Sequence, residues 1–187
     1  RYVKRALALA VPAVGVVAAL DLPLYLTGVS LFSQQYLALF WGLASALVFL
    51  TVPASKRQGK TDIRWYDLVL AGLSLVAGIY VAVGYPRLLP TLGLIDNTRI
   101  LLGAGATLIV LEATRRLTGW PLVIIVLTFI LYGRFAYLFP GPLEGSGISW
   151  PRLISQLYLG ADFLFGTPLK IAAIVVFGFV VFGQFLF

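Results

Sequence analysis

The sequence contains no cysteine, no histidine and no methionine, and charged residues make up only 11% of it. The absence of cysteine excludes disulfides, thiolate nucleophiles and thiolate metal sites. The absence of histidine removes the commonest general base and metal ligand, and no serine lies in a nucleophile-elbow pattern. We therefore expect a protein that is not an enzyme and has no cofactor. Because an initiator methionine is lacking and Phe187 falls inside an apolar run, we also expect a fragment of a longer chain.

Apolar residues make up 60% of the chain, whereas soluble domains contain roughly 45 to 50%. Runs of about 20 apolar residues are the length needed to cross a bilayer as a helix. The sequence predicts an all-α fold: a polytopic integral membrane helix bundle of about six apolar helices, the last one truncated, plus one amphipathic interfacial helix. The six runs are Ala6–Leu26, Tyr36–Val52, Asp67–Tyr85, Thr98–Leu117, Pro121–Phe139 and Leu169–Phe187.

The first run follows three basic residues, a layout that a secretory signal peptide shares. A signal peptide has an apolar core of about 7 to 15 residues followed by a small-residue cleavage site. This run is longer, and we interpret it as a membrane helix. Asp21 and Pro23 near its end are expected at the membrane interface, because a carboxylate is costly within the hydrocarbon.

Small residues recur every four positions in the second and third runs. Such a strip lets two helix backbones approach closely, although small residues are common in membrane helices in any case. The strips are Ala38, Gly42 and Ala46 in the second run and Ser74, Gly78 and Ala82 in the third.

The stretch LEATRRLTGWP, from Leu111 to Pro121, ends the fourth run. Glu112 lies three and four residues before Arg115 and Arg116, so the three side chains share a helix face and are expected to pair. The arginines also lie at the helix end that favours cations. Glycine is favoured just past a helix end and proline at the start of the next helix, which describes Gly119 and Pro121. The motif, completed by Trp120, therefore predicts a tight turn between two membrane helices.

Glu112 has a second interpretation as an ion ligand or proton relay, since carboxylates within membranes are often functional. The adjacent arginine pair favours the structural interpretation.

Lysine and arginine determine the predicted topology. The net charge of +7 is spread over short segments, which indicates orientation in a membrane and not nucleic-acid binding. With the amino terminus cytoplasmic, nine basic residues lie inside and five outside, as the positive-inside rule requires. The nine are Arg1, Lys4, Arg5, Lys56, Arg57, Lys60, Arg64, Arg115 and Arg116, and the five are Arg87, Arg99, Arg134, Arg152 and Lys170.

The segment from Trp150 to Phe165 is amphipathic, with Ser155 and Asp162 on the polar face. It is too polar to span, and its apolar face is expected either on the membrane surface or against a neighbouring domain. In the second case it would hold that domain against the rest of the chain. The candidate contact residues are Leu157, Asp162 and Leu164.

From about Leu101 onward the chain resembles the fused permease subunit of tripartite ATP-independent periplasmic (TRAP) transporters. The resemblance is sharpest in EATRR with GW from Glu112 to Trp120, in the outer-loop Pro140 and Gly141, and in LYLG with FGTPL up to Leu169. Upstream, only the layout of runs and basic segments is similar.

The resemblance implies a small membrane domain at residues 1–118, a connector helix and outer loop at 119–143, and the start of a large transport domain at 144–187. In the family, a periplasmic solute-binding protein delivers an organic acid-type solute, and a sodium gradient drives uptake. The family's sodium and substrate residues lie beyond this stretch, so no such site is expected here. The implied location is the cell inner membrane, where the partners are the lipid bilayer, the binding protein and the remainder of the permease chain. A membrane scaffold or assembly subunit without transport activity is the alternative.

Overall fold

The structure is a computed structural model that describes residues 2–28, 31–54, 64–89, 96–160 and 163–186. Within these ranges every regular element is a helix, which confirms the all-α fold. The α-helices are α1 Tyr2–Ala19, α2 Leu22–Thr27, α3 Ser33–Thr51, α4 Trp65–Leu88, α5 Asn97–Leu117, α6 Trp120–Phe135, α7 Trp150–Leu159, α8 Thr167–Lys170 and α9 Phe177–Leu186. Two 3₁₀ turns, Ala136–Leu138 and Gly141–Leu143, follow α6, and a π-helical stretch, Ile171–Val176, joins α8 to α9.

Three helices in the described part of the chain are long and apolar enough to cross a membrane. They are Ser33–Thr51, Trp65–Leu88 and Trp120–Leu138, the last one being α6 with its 3₁₀ extension. This supports a membrane protein, and the fuller count of six spanning helices stays a prediction.

The first predicted run is not one continuous helix. The chain breaks after α1 at Asp21, whose φ of 47° lies in the left-handed region that side-chain-bearing residues seldom adopt. Pro23 then lies in the first turn of the six-residue α2. The Tyr36 hydroxyl on α3 donates a hydrogen bond of 3.1 Å to Asp21 Oδ1, which ties this break to the bundle.

The small-residue strips of α3 and α4 pack against each other, as predicted. A Cβ atom placed on Gly78 would lie 2.6 Å from the Ala38 carbonyl oxygen, and one on Gly42 would lie 3.0 Å from that of Ser74. Ala38 and Ser74 are completely buried. The two backbones therefore meet at a distance that only small residues permit.

The amphipathic segment packs inside the bundle. Helix α7 lies on α5, where a Cβ on Gly103 would lie 2.9 Å from the Ile154 carbonyl oxygen. The Tyr158 hydroxyl donates a 2.9 Å hydrogen bond to the Ala77 carbonyl of α4. The structure thus shows α7 packed against neighbouring helices, and a contact between separate domains stays a prediction.

Two details of that segment were predicted wrongly. The helix ends at Leu159 and does not continue to Phe165, because the chain turns at Gly160 and inserts Phe165 into the core. Ser155, expected on the solvated face, is buried. Phe165 contacts Trp41 of α3 edge-to-face, with 5.9 Å between ring centroids.

Several residues used in the sequence predictions lie outside the described residues. They are Arg1, Lys56, Arg57, Lys60, Asp162 and Phe187.

Candidate functional site

The charged cluster at the end of α5 is built on one helix face. The Arg115 guanidinium pairs with both carboxylate oxygens of Glu112, with 2.7 Å from Nε to Oε2 and 2.7 Å from Nη2 to Oε1. Arg116 Nε donates to Glu112 Oε1 at 2.8 Å. These contacts join residues three and four positions apart, so the predicted pairing within the helix is confirmed.

Asp67 is a further member of the cluster that the sequence analysis missed. Its Oδ1 lies 2.7 Å from Arg116 Nη2, close enough for an ion pair although the angle is not that of a hydrogen bond. The Arg116 side chain is 0% exposed and that of Asp67 is 4% exposed. A buried charge needs a partner of opposite sign, so Arg116 and Asp67 depend on each other.

Asp67 has a second role at the start of α4. Its Oδ2 accepts a 3.3 Å hydrogen bond from the backbone N–H of Arg64, and its own N–H donates to the Arg64 carbonyl at 3.0 Å. A carboxylate in the first turn also complements the positive end of the helix dipole. The signal for this residue was visible in the sequence as an acid at the start of an apolar run.

The arginines also bind the carboxyl end of α3. Arg116 Nη1 donates to the Val52 carbonyl at 3.1 Å, and Arg115 Nη2 donates to the Ala54 carbonyl at 3.3 Å. The Arg116 guanidinium lies 4.9 Å from the centroid of the Phe49 ring. Carbonyls at a helix end lack partners within the helix and carry partial negative charge, which explains the position of the guanidinium groups. The cluster thus joins α3, α4 and α5.

The turn from α5 to α6 follows the prediction. Gly119 has a φ of 97°, which favours glycine, and its N–H donates to the Arg115 carbonyl at 3.1 Å. Pro121 lies in the first turn of α6. The Arg115 guanidinium lies 5.7 Å from the ring of Trp120, so the turn contacts the cluster through the tryptophan side chain.

The chemistry of the cluster favours a structural role. Two carboxylates face two guanidinium groups, and both carboxylates are paired with arginine. Removing Arg116 leaves the buried Asp67 carboxylate without its cation. The arrangement holds the ends of three helices together. The alternative role of Glu112 as an ion ligand or proton relay stays a prediction.

Two of the three predicted contact residues lie together. Leu157 and Leu164 line a cavity of about 190 Å³ that also touches α5 and α6, and the Leu164 N–H donates to the Leu157 carbonyl at 3.3 Å. Asp162 is outside the described residues. Whether this contact separates a fixed domain from a moving one stays a prediction.

Tyr158 and Phe165 are the more deeply buried contacts of this segment, at 1% and 2% exposure. The amphipathic pattern alone does not distinguish these two residues from Leu157 and Leu164. Burial, with a smaller contribution from Tyr80, raises the pKa of the Tyr158 hydroxyl above its ordinary range, so the group remains a neutral donor at physiological pH.

No protein-family model, no curated protein and no solved structure matches this chain.

Proposed function

We propose that the chain is the amino-terminal part of a fused TRAP-type permease, a membrane component of a sodium-driven, binding-protein-dependent secondary transporter for organic acid-type solutes. In this proposal the part described here serves mainly as the scaffold for a moving transport domain. The charged cluster at the carboxyl end of α5 is the observation that carries it.

The cluster suits a scaffold because it fixes three helix ends in one place. Arg116 contacts Glu112 on its own helix, Asp67 on α4 and the Val52 carbonyl after α3. Rigid-body movement of one of these helices against the other two would separate buried opposite charges, which is unfavourable. A transport domain that moves needs such a fixed body beside it.

The proposed topology has six helices that span the cell inner membrane. The amino terminus lies on the cytoplasmic side. In it α1, α3, α4 and α5 form the small domain, α6 is the connector, and α7 begins the transport domain, which continues through α8 and α9. The charged cluster then lies at the cytoplasmic face, where the positive-inside rule favours arginine.

The packing of α7 supports a fixed contact between scaffold and transport domain. Tyr158 and Phe165 bury their rings among α3, α4 and α5. We expect lysine at Leu157 or Leu164 to weaken assembly, because each would place a charge in the apolar cavity beside α5 and α6. Variants with unchanged assembly and transport would argue against this contact.

A membrane scaffold or assembly subunit without transport activity is the second candidate. It is favoured by the engagement of the cluster's carboxylates in contacts between helix ends.

Uptake into proteoliposomes distinguishes the two candidates. The intact permease, reconstituted with its binding protein and an inward sodium gradient, is expected to accumulate an organic acid. Uptake that needs neither sodium nor the binding protein would contradict the proposed mechanism, and absence of uptake from a correctly folded protein would favour the assembly subunit.

The variant Arg116→Gln separates a structural cluster from a catalytic one in the same assay. A structural role predicts less folded protein but unchanged uptake per folded molecule. A role in ion or proton movement predicts normal amounts of protein with reduced uptake.

A further inference from the structure

The guanidinium of Arg134, near the end of α6, has no charged partner among the residues that the structure describes. Its Nε is buried and has no hydrogen-bond acceptor, and the group lies 5.3 Å from the centroid of the Phe135 ring. Within the described ranges, no carboxylate forms an ion pair with it. A buried donor without an acceptor is unfavourable, and more so when it is charged. The Nε donor is therefore open to an anion or another strong acceptor.

An apolar groove lies next to this arginine. It has a volume of about 720 Å³, within the range of roughly 300 to 1,000 Å³ that is typical of small-molecule sites. Phe135 belongs to its wall and also stacks with Arg134, so the guanidinium and the groove share one ring. The groove is lined by Thr128, Phe129, Leu131, Tyr132, Phe135, Leu138, Phe139 and Leu143.

The hydroxyl groups in the groove already have acceptors. Thr128 donates to the Ile124 carbonyl and Tyr132 to the Leu143 carbonyl, both at 2.8 Å. The remaining lining residues are aromatic or aliphatic. The groove thus presents an apolar surface, which a polar solute held by Arg134 would not cover.

The loop after α6 holds the site in place. The Ile148 N–H donates to the Gly133 carbonyl at 3.0 Å, and the Gly145 N–H donates to the Ala136 carbonyl at 3.2 Å. These two carbonyls flank Arg134 in the sequence and are occupied by backbone donors. These hydrogen bonds fix the backbone around Arg134 and beside the groove, which lowers the cost of binding.

We propose that the end of α6 binds a phospholipid, with its phosphate on Arg134 and one acyl chain in the groove. The positive charge of Arg134 is complementary to a phosphate, and the apolar groove beside it is complementary to a hydrocarbon chain. A phospholipid has both groups in one molecule, and arginine matches the geometry of phosphate oxygens. Arg134 also lies close to the end of the candidate span Trp120–Leu138, which is the depth of lipid headgroups. The proposal requires that α6 crosses the membrane and does not depend on transport.

Native mass spectrometry of the full chain in mild detergent tests this site. The protein is titrated with dioleoyl phosphatidylglycerol, with dioleoylglycerol, which lacks the phosphate, and with inorganic phosphate, which lacks the chains. We expect one retained phosphatidylglycerol, and affinity for the other two lower by at least about tenfold, since a hydrogen bond to a charged group is worth roughly that factor. Equal binding of inorganic phosphate, or of dioleoylglycerol, would overturn the proposal.

Variants assign the retained lipid to this site. Arg134→Gln is expected to weaken retention by about tenfold, and Leu131→Trp to weaken it by filling the groove. Arg134→Lys keeps the charge and should bind more strongly than the glutamine variant, which separates loss of charge from loss of folding. The matched control is Arg152→Gln, which removes an exposed arginine that is not part of the groove and should behave as the unmodified protein.

Two results would contradict the assignment. Unchanged lipid retention in Arg134→Gln would show that the lipid binds elsewhere. A shift in oligomeric state on Leu131→Trp, with an unchanged lipid count, would show that a protein helix covers the groove.

Discussion

Helices α3 and α6 resemble each other in sequence character but differ in their surroundings. Both occur in apolar spans of 19 residues that are able to cross a membrane. In α3, 61% of the residues in the apolar window are buried inside the bundle, whereas in α6 and its 3₁₀ extension only 11% are. Length and hydropathy therefore predict that both helices enter a membrane without predicting which one packs against other helices.

Side-chain size accounts for the difference. Lipid tails are as apolar as leucine, so helices in a membrane associate through close packing more than through burial of apolar surface. Helix α3 has its strip of small residues and meets α4 at Gly42 and Gly78. The central part of α6 consists of bulky aliphatic and aromatic residues, and among its residues only Val123 is buried.

The arginines of the two regions also differ in how many contacts they make with the rest of the protein. Arg116, at the packed end of α3, α4 and α5, contacts Asp67, Glu112 and the Val52 carbonyl. Arg134, on α6, has a ring contact but no hydrogen bond or ion pair among the described residues. Arginine thus joins helices through ion pairs at the end of α5, whereas in our proposal it binds a lipid at the end of α6.

The substitution Arg116→Gln is expected to have the largest effect. It leaves the Asp67 carboxylate buried without its cation, a change that costs about 3 to 5 kcal/mol in comparable buried pairs. Unfolding by sodium dodecyl sulfate, followed by tryptophan fluorescence, measures the loss. Stability equal to that of the unmodified protein would show that the pair is not required.

The substitution Gly78→Ala tests the packing of α3 on α4. Its new Cβ would lie 2.6 Å from the Ala38 carbonyl oxygen, so the helices must separate, at a cost of about 1 to 3 kcal/mol. Gly72→Ala on the same helix is the matched control, because no atom lies within 4 Å of its added Cβ. Equal effects of the two substitutions on the unfolding free energy would refute the close contact.

The substitution Tyr158→Phe removes the hydrogen bond between α7 and the Ala77 carbonyl. We expect a loss of about 0.5 to 1.5 kcal/mol in unfolding free energy, the usual net value of such a bond. Tyr25→Phe, at an 81% exposed position, is the control and should have little effect. An unfolding free energy of Tyr158→Phe equal to that of Tyr25→Phe would show that the bond does not stabilise the α7 contact.

The substitution Arg134→Gln is expected to have the smallest effect on stability in detergent without added phospholipid. No ion pair within the described residues is broken, and substitutions at such positions usually change stability by less than about 0.5 kcal/mol. The comparison with Arg116→Gln is direct, because the same substitution is made once at an arginine that forms ion pairs and once at an arginine that forms none within the described residues. A loss as large as that of Arg116→Gln would remove the distinction between the two regions.

Local features of the fold were predictable from the sequence. The spacing of Glu112, Arg115 and Arg116 was sufficient to predict their pairing. The positions of Gly119 and Pro121 were sufficient to predict the turn. Each of these depends on neighbours within four residues, where helix geometry alone brings side chains together.

Contacts between distant segments were not predictable in the same way. The Asp67 carboxylate is 49 positions before Arg116, and no periodicity links the two residues. Gly160 turned the chain where the amphipathic pattern suggested a continuing helix, and this moved Phe165 into the core beside Trp41. Both features arise from the way helices pack, which a pattern along one helix does not encode.

A double-mutant cycle on Asp67→Asn and Arg116→Gln tests the central claim that the charged cluster locks α3, α4 and α5 together. If the pair is a structural lock, the double variant should be more stable than the sum of the single effects predicts, by at least about 1 kcal/mol, with uptake per folded protein unchanged. Single effects that add within about 0.5 kcal/mol, as they do for independent sites, would contradict the account.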